Sequence, residues 1–138
     1  MSKKKKESII EKIENNEIIL NKVAGEIISN TILENDGDIK PVEEFEYEIL
    51  HVDDNSAEIK LISQIGFEPK TIFNIEIELI GKFNFKQTIT IKKIEENIID
   101  ILNFMADKMS FIVSFITNEM LKQPYVLPPI VKLKNNKN

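Results

Sequence analysis

Hydrophobic and polar positions divide this chain into two regimes. Met1 to Asn16 is polar and charged, with Ile9, Ile10 and Ile13 spaced for one short helix in an otherwise frayed lead-in. From Glu17 to Leu33 apolar residues are dense (Ile18, Leu20, Val23, Ile27, Ile32) and mostly β-branched, while Asn21, Gly25 and Asn30 weaken any helix. That stretch predicts a long, bulged strand. Glu34 to Asp38 and Pro41 predict a loop. Glu44-Phe45-Glu46-Tyr47-Glu48-Ile49 then alternates strictly, the mark of a strand with one wet, acidic face. Asp53 to Ser56 predicts a turn, since Asp and Asn accept local backbone hydrogen bonds. Glu58 to Phe67 predicts the return strand of a hairpin. Thr71 to Phe85 predicts a fourth strand, with Ile75, Ile77 and Leu79 on one face and Glu76 and Glu78 on the other. Short turns between such runs point to an antiparallel meander.

At Ile94 the period changes. Apolar residues recur at 94, 98, 101, 102, 105, 109, 112, 113, 116 and 120, the spacing of a long helix. From Ile94 to Thr117 such a helix spans ~36 Å at 1.5 Å per residue. Phe104, Phe111 and Phe115 widen its apolar stripe beyond one packing face, so one side covers the sheet and the other meets a partner or a ligand. Asp100, Asp107 and Lys108 lie in its most apolar window and argue against membrane insertion. Three Pro between Pro124 and Pro129 then impose an extended run, and Lys132 to Asn138 reads as a polar tail. The expected architecture is α+β: a four-stranded antiparallel sheet followed by a long C-terminal helix packed on one face. The expected organisation is a basic flexible segment over 1–16, one domain over 17–131 and a tail over 132–138.

Composition narrows the chemistry. Among 138 residues there are 26 Ile, 14 Asn and 18 Lys, with no Arg, Cys or Trp and one His. Those three abundant types share AT-rich codons, so the Ile count alone does not make the protein all-β. Absence of Cys excludes disulfides, thiolate nucleophiles and cysteine-based metal sites, and a single His makes no His-based cluster. No metal and no cofactor are expected. Without a guanidinium fork, and at a net charge of −5, the chain does not read as a nucleic-acid binder. Lys3 to Lys6 lead into a polar stretch rather than an apolar signal, so a cytoplasmic, soluble, non-enzymatic protein is expected.

Charge is segregated along the chain. Residues 1–12 carry +3 and residues 34–58 carry −9, while residues 121–138 hold four Lys and no acid. The basic ends read as solvated tails. The scattered glycines form no phosphate loop. His51 reads as an ordinary strand residue, Asp53, Asp54 and Glu58 as a turn, and Ser110 and Ser114 as helix residues without a nucleophile elbow. Two features remain. The Phe-rich helix face is either core plus a homodimer seam or a peptide-binding groove. The acidic strand face of Glu44, Glu46, Glu48, Glu76 and Glu78 is either a solvated sheet face or a docking surface for a basic partner.

The stretch Lys70-Thr71-Ile72-Phe73-Asn74-Ile75-Glu76-Ile77-Glu78-Leu79-Ile80-Gly81-Lys82-Phe83-Asn84-Phe85 resembles the SecB export-chaperone family, whose matching strand pair follows K-T-x-F-x-x-E-[VI]-x-x-x-G-x-F. Ile116-Thr117 followed by Pro124, Leu127 and Pro129 resembles the end of that family's helix and its proline-bearing segment. The resemblance spans about residues 17–131. It departs at the first-strand acidic motif, at Met120 and Leu121, which replace glycines, and at the second helix, missing or reduced to a tail.

The resemblance implies a long first strand, a crossover loop, three more strands and a long helix. It also implies an ATP-independent holdase that assembles as a dimer or tetramer and binds unfolded polypeptides. Delivery of export clients to the SecA motor is one implied role, with Glu76 at the matching acidic position. Guarding an antitoxin is another. A non-chaperone structural or adaptor homo-oligomer is the alternative of a different class. The expected client-binding residues are Phe45, Tyr47, Phe104, Phe111, Phe115 and Tyr125.

Overall fold

A computed structural model describes residues 8–28, 39–69 and 71–133. Ser8 caps a single 3-10 turn over Ile9–Lys12, its side chain accepting from the Ile10 amide, and Ile9 is buried. The strands follow as β1 (Ile13–Ile28), β2 (Lys40–Val52), β3 (Ser56–Glu68) and β4 (Ile72–Phe85). The helices are α1 (Ile91–Glu96) and α2 (Ile98–Leu121). All four strands are antiparallel to their neighbours, in the order β1-β4-β3-β2. The chain is thus α+β, a four-stranded antiparallel sheet with a long C-terminal helix.

Period-2 alternation decides which face is buried. Along β4, Phe73, Ile75, Ile77, Leu79, Phe83 and Phe85 point to α2, and along β3 so do Ala57, Ile59, Leu61 and Ile65. The facing side of α2 is Ile101, Leu102, Met105, Met109, Ile112 and Val113, all buried. Gly81 lets the layers meet. A Cβ there would lie 2.7 Å from the Phe83 ring and 3.1 Å from Met105 Cε. At the centre, Ser63 Oγ donates to Met109 Sδ at 3.1 Å, so this buried hydroxyl has a partner within the apolar layer.

Several boundaries move from the sequence expectation. β1 starts four residues before Glu17, and Leu133 forms a bridge with Phe45, so packing extends beyond 17–131 at both ends. The expected strand residues 29–33, the loop 34–38, Lys70 and the tail 134–138 lie outside the described residues. Only β2, β3 and β4 form a meander, because β1 crosses over to pair with β4 instead of β2. The helix is not continuous from Ile94. Thr90 caps α1 by accepting from the Lys93 amide, and the chain bends at Asn97 before α2 begins. α2 ends at Lys122, which takes the left-handed conformation at φ 64°.

Candidate functional site

α2 lies across the buried face with a different environment on each flank. Positions 104, 108, 111 and 115 share one side of the helix by their three- and four-residue spacing. Lys108 shows which side this is, since its Nζ donates to the Ile18 carbonyl of β1 at 2.6 Å. On this flank Phe104 packs edge-on to Phe83, with ring centroids 6.0 Å apart. Phe111 and Phe115 stack on each other at 6.4 Å and are left open to solvent, 69% and 58% exposed.

β1 adds to the same surface. Its pairing places Leu20 opposite Leu79, Val23 opposite Ile77 and Ile27 opposite Phe73, so all three share the face that carries α2. Leu20, Val23 and Ile27 are nevertheless 41%, 42% and 55% exposed. The register shift between Leu20 and Lys22 produces this alignment, because an extra residue at Asn21 switches the apolar positions from even to odd numbers. An outer strand and an uncovered helix flank therefore form one apolar trough. Five large apolar side chains without cover are more than the scattered exposure expected of an ordinary surface.

The opposite flank of α2 is occupied. After Pro124 the chain turns back along the helix as an extended strap over Tyr125 to Leu133. The Tyr125 amide donates to Thr117 Oγ1 at 2.7 Å, and Ser114 Oγ donates to the Tyr125 carbonyl at 3.1 Å. Ser110 Oγ donates to the Leu127 carbonyl at 2.6 Å, and the Val131 amide donates to Asn103 Oδ1 at 2.7 Å. Tyr125 makes edge contacts with Phe67 at 6.0 Å and Phe73 at 5.5 Å, and its hydroxyl donates to Glu43 Oε2 at 2.6 Å. Burial, reinforced by that carboxylate partner, raises the Tyr125 phenol above its ordinary value.

The six side chains expected to bind clients therefore do not line one groove. Phe104, Phe111 and Phe115 lie on the β1 flank. Phe45, Tyr47 and Tyr125 lie on the β2 flank, where Phe45 is 4% exposed and bridged to Leu133. Phe45 and Tyr47 point to the helix side because they pair with Ser63 and Leu61.

Glu44, Glu46 and Glu48 of β2 share the open face of the sheet with Glu76 and Glu78 of β4, as the pairings Gln64–Glu76 and Ile62–Glu78 require. The face is not uniformly acidic. Lys60 lies 3.5 Å from Glu48 and Lys22 lies 3.4 Å from Glu76, while Asn21 donates to Glu78 at 3.3 Å. Half-buried Ile19, Ile62 and Ile80 sit between the charged rows. His51 lies at the surface with Nε2 3.0 Å from Asp53 Oδ1. Among the described residues there is no group of three or more His, Cys, Asp or Glu able to hold a metal ion. No helix among them is long and apolar enough to cross a membrane.

The trough on β1 and the polar row on α2 were both missed by sequence reasoning. Leu20, Val23 and Ile27 break strand periodicity unless the expected bulge is placed at Asn21. Asn103, Ser110, Ser114 and Thr117 do recur on one helix side, a polar stripe in an otherwise apolar segment. That signal was present.

No protein-family model matches the chain, and no curated protein matches it. Among solved structures, the Rv1957 SecB-like chaperone of Mycobacterium tuberculosis superposes with a TM-score of 0.68 over 88% of this chain and 89% of that one. The fold is SecB-like. Identity over that superposition is only 10%, so the likeness is one of architecture. The Mycobacterium tuberculosis protein was solved in complex with a ChAD peptide from the HigA1 antitoxin. A Streptococcus agalactiae protein of unknown function overlaps more loosely, at TM-score 0.47 and 15% identity over 83% of this chain and 97% of that one.

Proposed function

We propose that this chain is an ATP-independent holdase that captures extended, non-native polypeptide and carries out no catalysis. The observation that carries this reading is the apolar trough of Leu20, Val23, Ile27, Phe111 and Phe115 on a rigid sheet-and-helix scaffold. Leaving such a surface open to water is unfavourable by roughly 25 cal/mol per Å², and a client chain offers what covers it. Recognition by apolar contact beside an outer strand suits a client without defined structure, since main-chain groups and scattered apolar side chains occur in every sequence. The net charge of −5 keeps a protein with such a surface in solution.

An antitoxin segment is the client class favoured, because the SecB-like structure that superposes on this chain holds an antitoxin peptide. The export role is the second part of the proposal. It assigns the open sheet face, with Glu44, Glu46, Glu48, Glu76 and Glu78, to docking of SecA in the cytoplasm. The trough also suits a second copy of the chain, since β1 is an outer strand with apolar neighbours, and a homodimer or tetramer would cover part of it.

Titration of a permanently unfolded, carboxymethylated protein into the chain, followed by calorimetry and sedimentation velocity, tests the reading. Binding without nucleotide, with a negative heat-capacity change from apolar burial, is expected. A homo-oligomer that binds no unfolded protein would leave the trough as an assembly seam and refute the holdase.

A further inference from the structure

The strap along α2 shows how that flank holds a polypeptide. Four of its main-chain groups, two carbonyls and two amides, bond to Asn103, Ser110, Ser114 and Thr117. None of these bonds involves a strap side chain, so none depends on the strap's sequence. The spacing follows from helix and extended-chain geometry. Ser110 and Ser114 are four residues apart, a rise of ~6.0 Å. The carbonyls they bind, on Leu127 and Tyr125, are two extended residues apart, ~6.2–6.8 Å. Over the whole row, Thr117 to Asn103 rises ~21 Å, and Tyr125 to Val131 covers ~19 Å at the polyproline spacing. α2 thus carries hydrogen-bonding side chains at the repeat of an extended main chain running the opposite way.

Side chains complete the site. Leu127 and Val131 point inward and are buried, whereas Val126 and Ile130 point outward, 75% and 55% exposed. Leu133 continues the strap onto Phe45 of the outer strand β2 in a parallel bridge. The strap thereby lies between α2 and a strand edge as a peptide ligand would.

We infer that the channel between α2 and β2 is a main-chain-reading peptide site whose resident occupant is the chain's own strap, residues 125–133, and that an extended polypeptide with apolar side chains at inward positions displaces it. This rests on the reading that the chain binds polypeptide, and it adds a second, self-occupied site to the open trough on β1. The strap is covalently attached and therefore present at high effective concentration, so a client sees the site only in the fraction of molecules whose strap has left. Loosening the strap raises apparent affinity by the same factor as that fraction.

The test uses the full chain and an N-acetylated peptide of strap sequence, Tyr-Val-Leu-Pro-Pro-Ile-Val, carrying fluorescein at its C-terminus and read by fluorescence anisotropy. Leu127→Ser is expected to bind the peptide at least ten-fold more tightly than wild type. A peptide N-methylated at the positions matching Tyr125 and Val131, which lacks the two donated bonds, is expected to bind that variant at least ten-fold more weakly. Hydrogen exchange on the wild type needs no folded variant: excess peptide is expected to speed exchange at the Tyr125 and Val131 amides at least ten-fold. Equal peptide affinity in wild type and Leu127→Ser, or unchanged exchange at those amides, would overturn the inference. Retained binding of unfolded protein that is lost in Phe111→Ser/Phe115→Ser would in that case leave the β1 trough standing alone. Loss of all polypeptide binding in the wild type would remove both readings.

Discussion

Replacing Phe111 and Phe115 together by Ser separates binding from stability in one experiment. Neither ring supports the core, since both are more than half exposed and each has the other as its ring contact. Their mutual stacking contributes ~0.5–1.5 kcal/mol to the stability that the double variant loses, in addition to the small part of each ring that is covered. For a domain near this size such a loss lowers Tm by roughly 2–8 °C. The effect on binding is larger. Aromatic side chains bury ~150–250 Å² each, so covering the exposed part of both rings removes some 250 Å² from water, roughly 6 kcal/mol as an upper bound. If a third of that survives ordering and imperfect packing, the pair contributes ~2 kcal/mol, about a 30-fold change in Kd. Thermal melting by circular dichroism and calorimetric titration of a carboxymethylated unfolded protein read the two quantities. A small Tm shift is expected, with affinity reduced about 30-fold. Unchanged affinity in a folded double variant would refute the assignment of the trough, and loss of folding would show that these rings carry packing that their exposure denies.

Other expectations follow from the same geometry. Phe73→Ala, at a core ring 1% exposed, is expected to cost ~3–5 kcal/mol in denaturant unfolding, far more than either trough Phe. Gly81→Val forces a side chain into the Phe83 ring and Met105, and is expected to destabilise by ~1–3 kcal/mol in the same assay. Tyr125 has its folded pKa raised above the unfolded value of 10.0, so its neutral form stabilises the fold fully below that pH and the contribution is lost as pH rises through and beyond it. Tyr125→Phe is therefore expected to flatten the fall of Tm above about pH 10, and an unaltered slope would contradict the raised phenol paired with Glu43. Charge reversal at Glu46, Glu48 and Glu76 is expected to cost little in melting, because the partly open Lys60–Glu48 and Lys22–Glu76 pairs at the sheet surface contribute only ~0–1 kcal/mol each, and to weaken co-sedimentation with SecA. Unchanged co-sedimentation would separate this chain from the export pathway.

The parts legible in the sequence were those governed by a single period. Strict alternation in Glu44 to Ile49 and Ile75 to Leu79 placed β2 and β4 and the direction of each side chain, because a pleated strand allows no other reading. The three- and four-residue recurrence of Ile101, Met105, Met109 and Ile112 likewise marked the buried side of α2. What escaped depends on contacts between distant segments. Nothing local makes β1 pair with β4 instead of β2, so only the family resemblance implied a crossover. Nor does anything local put the expected bulge at Asn21, so Leu20, Val23 and Ile27 look irregular although they share a face. The six aromatic candidates were grouped by residue type, and only the path of the strap divides Tyr125 from Phe111. The break at Asn97 is subtler, since Ile94 and Ile98 continue the apolar spacing across it.

Light scattering from an aggregating client decides the central claim most directly. With the chain added at an equimolar ratio and no nucleotide, thermal aggregation of a folded enzyme client is expected to be suppressed, while the Phe111→Ser/Phe115→Ser variant is expected to leave most of the scattering in place. Aggregation that proceeds unaltered in the presence of the wild-type chain would contradict the account.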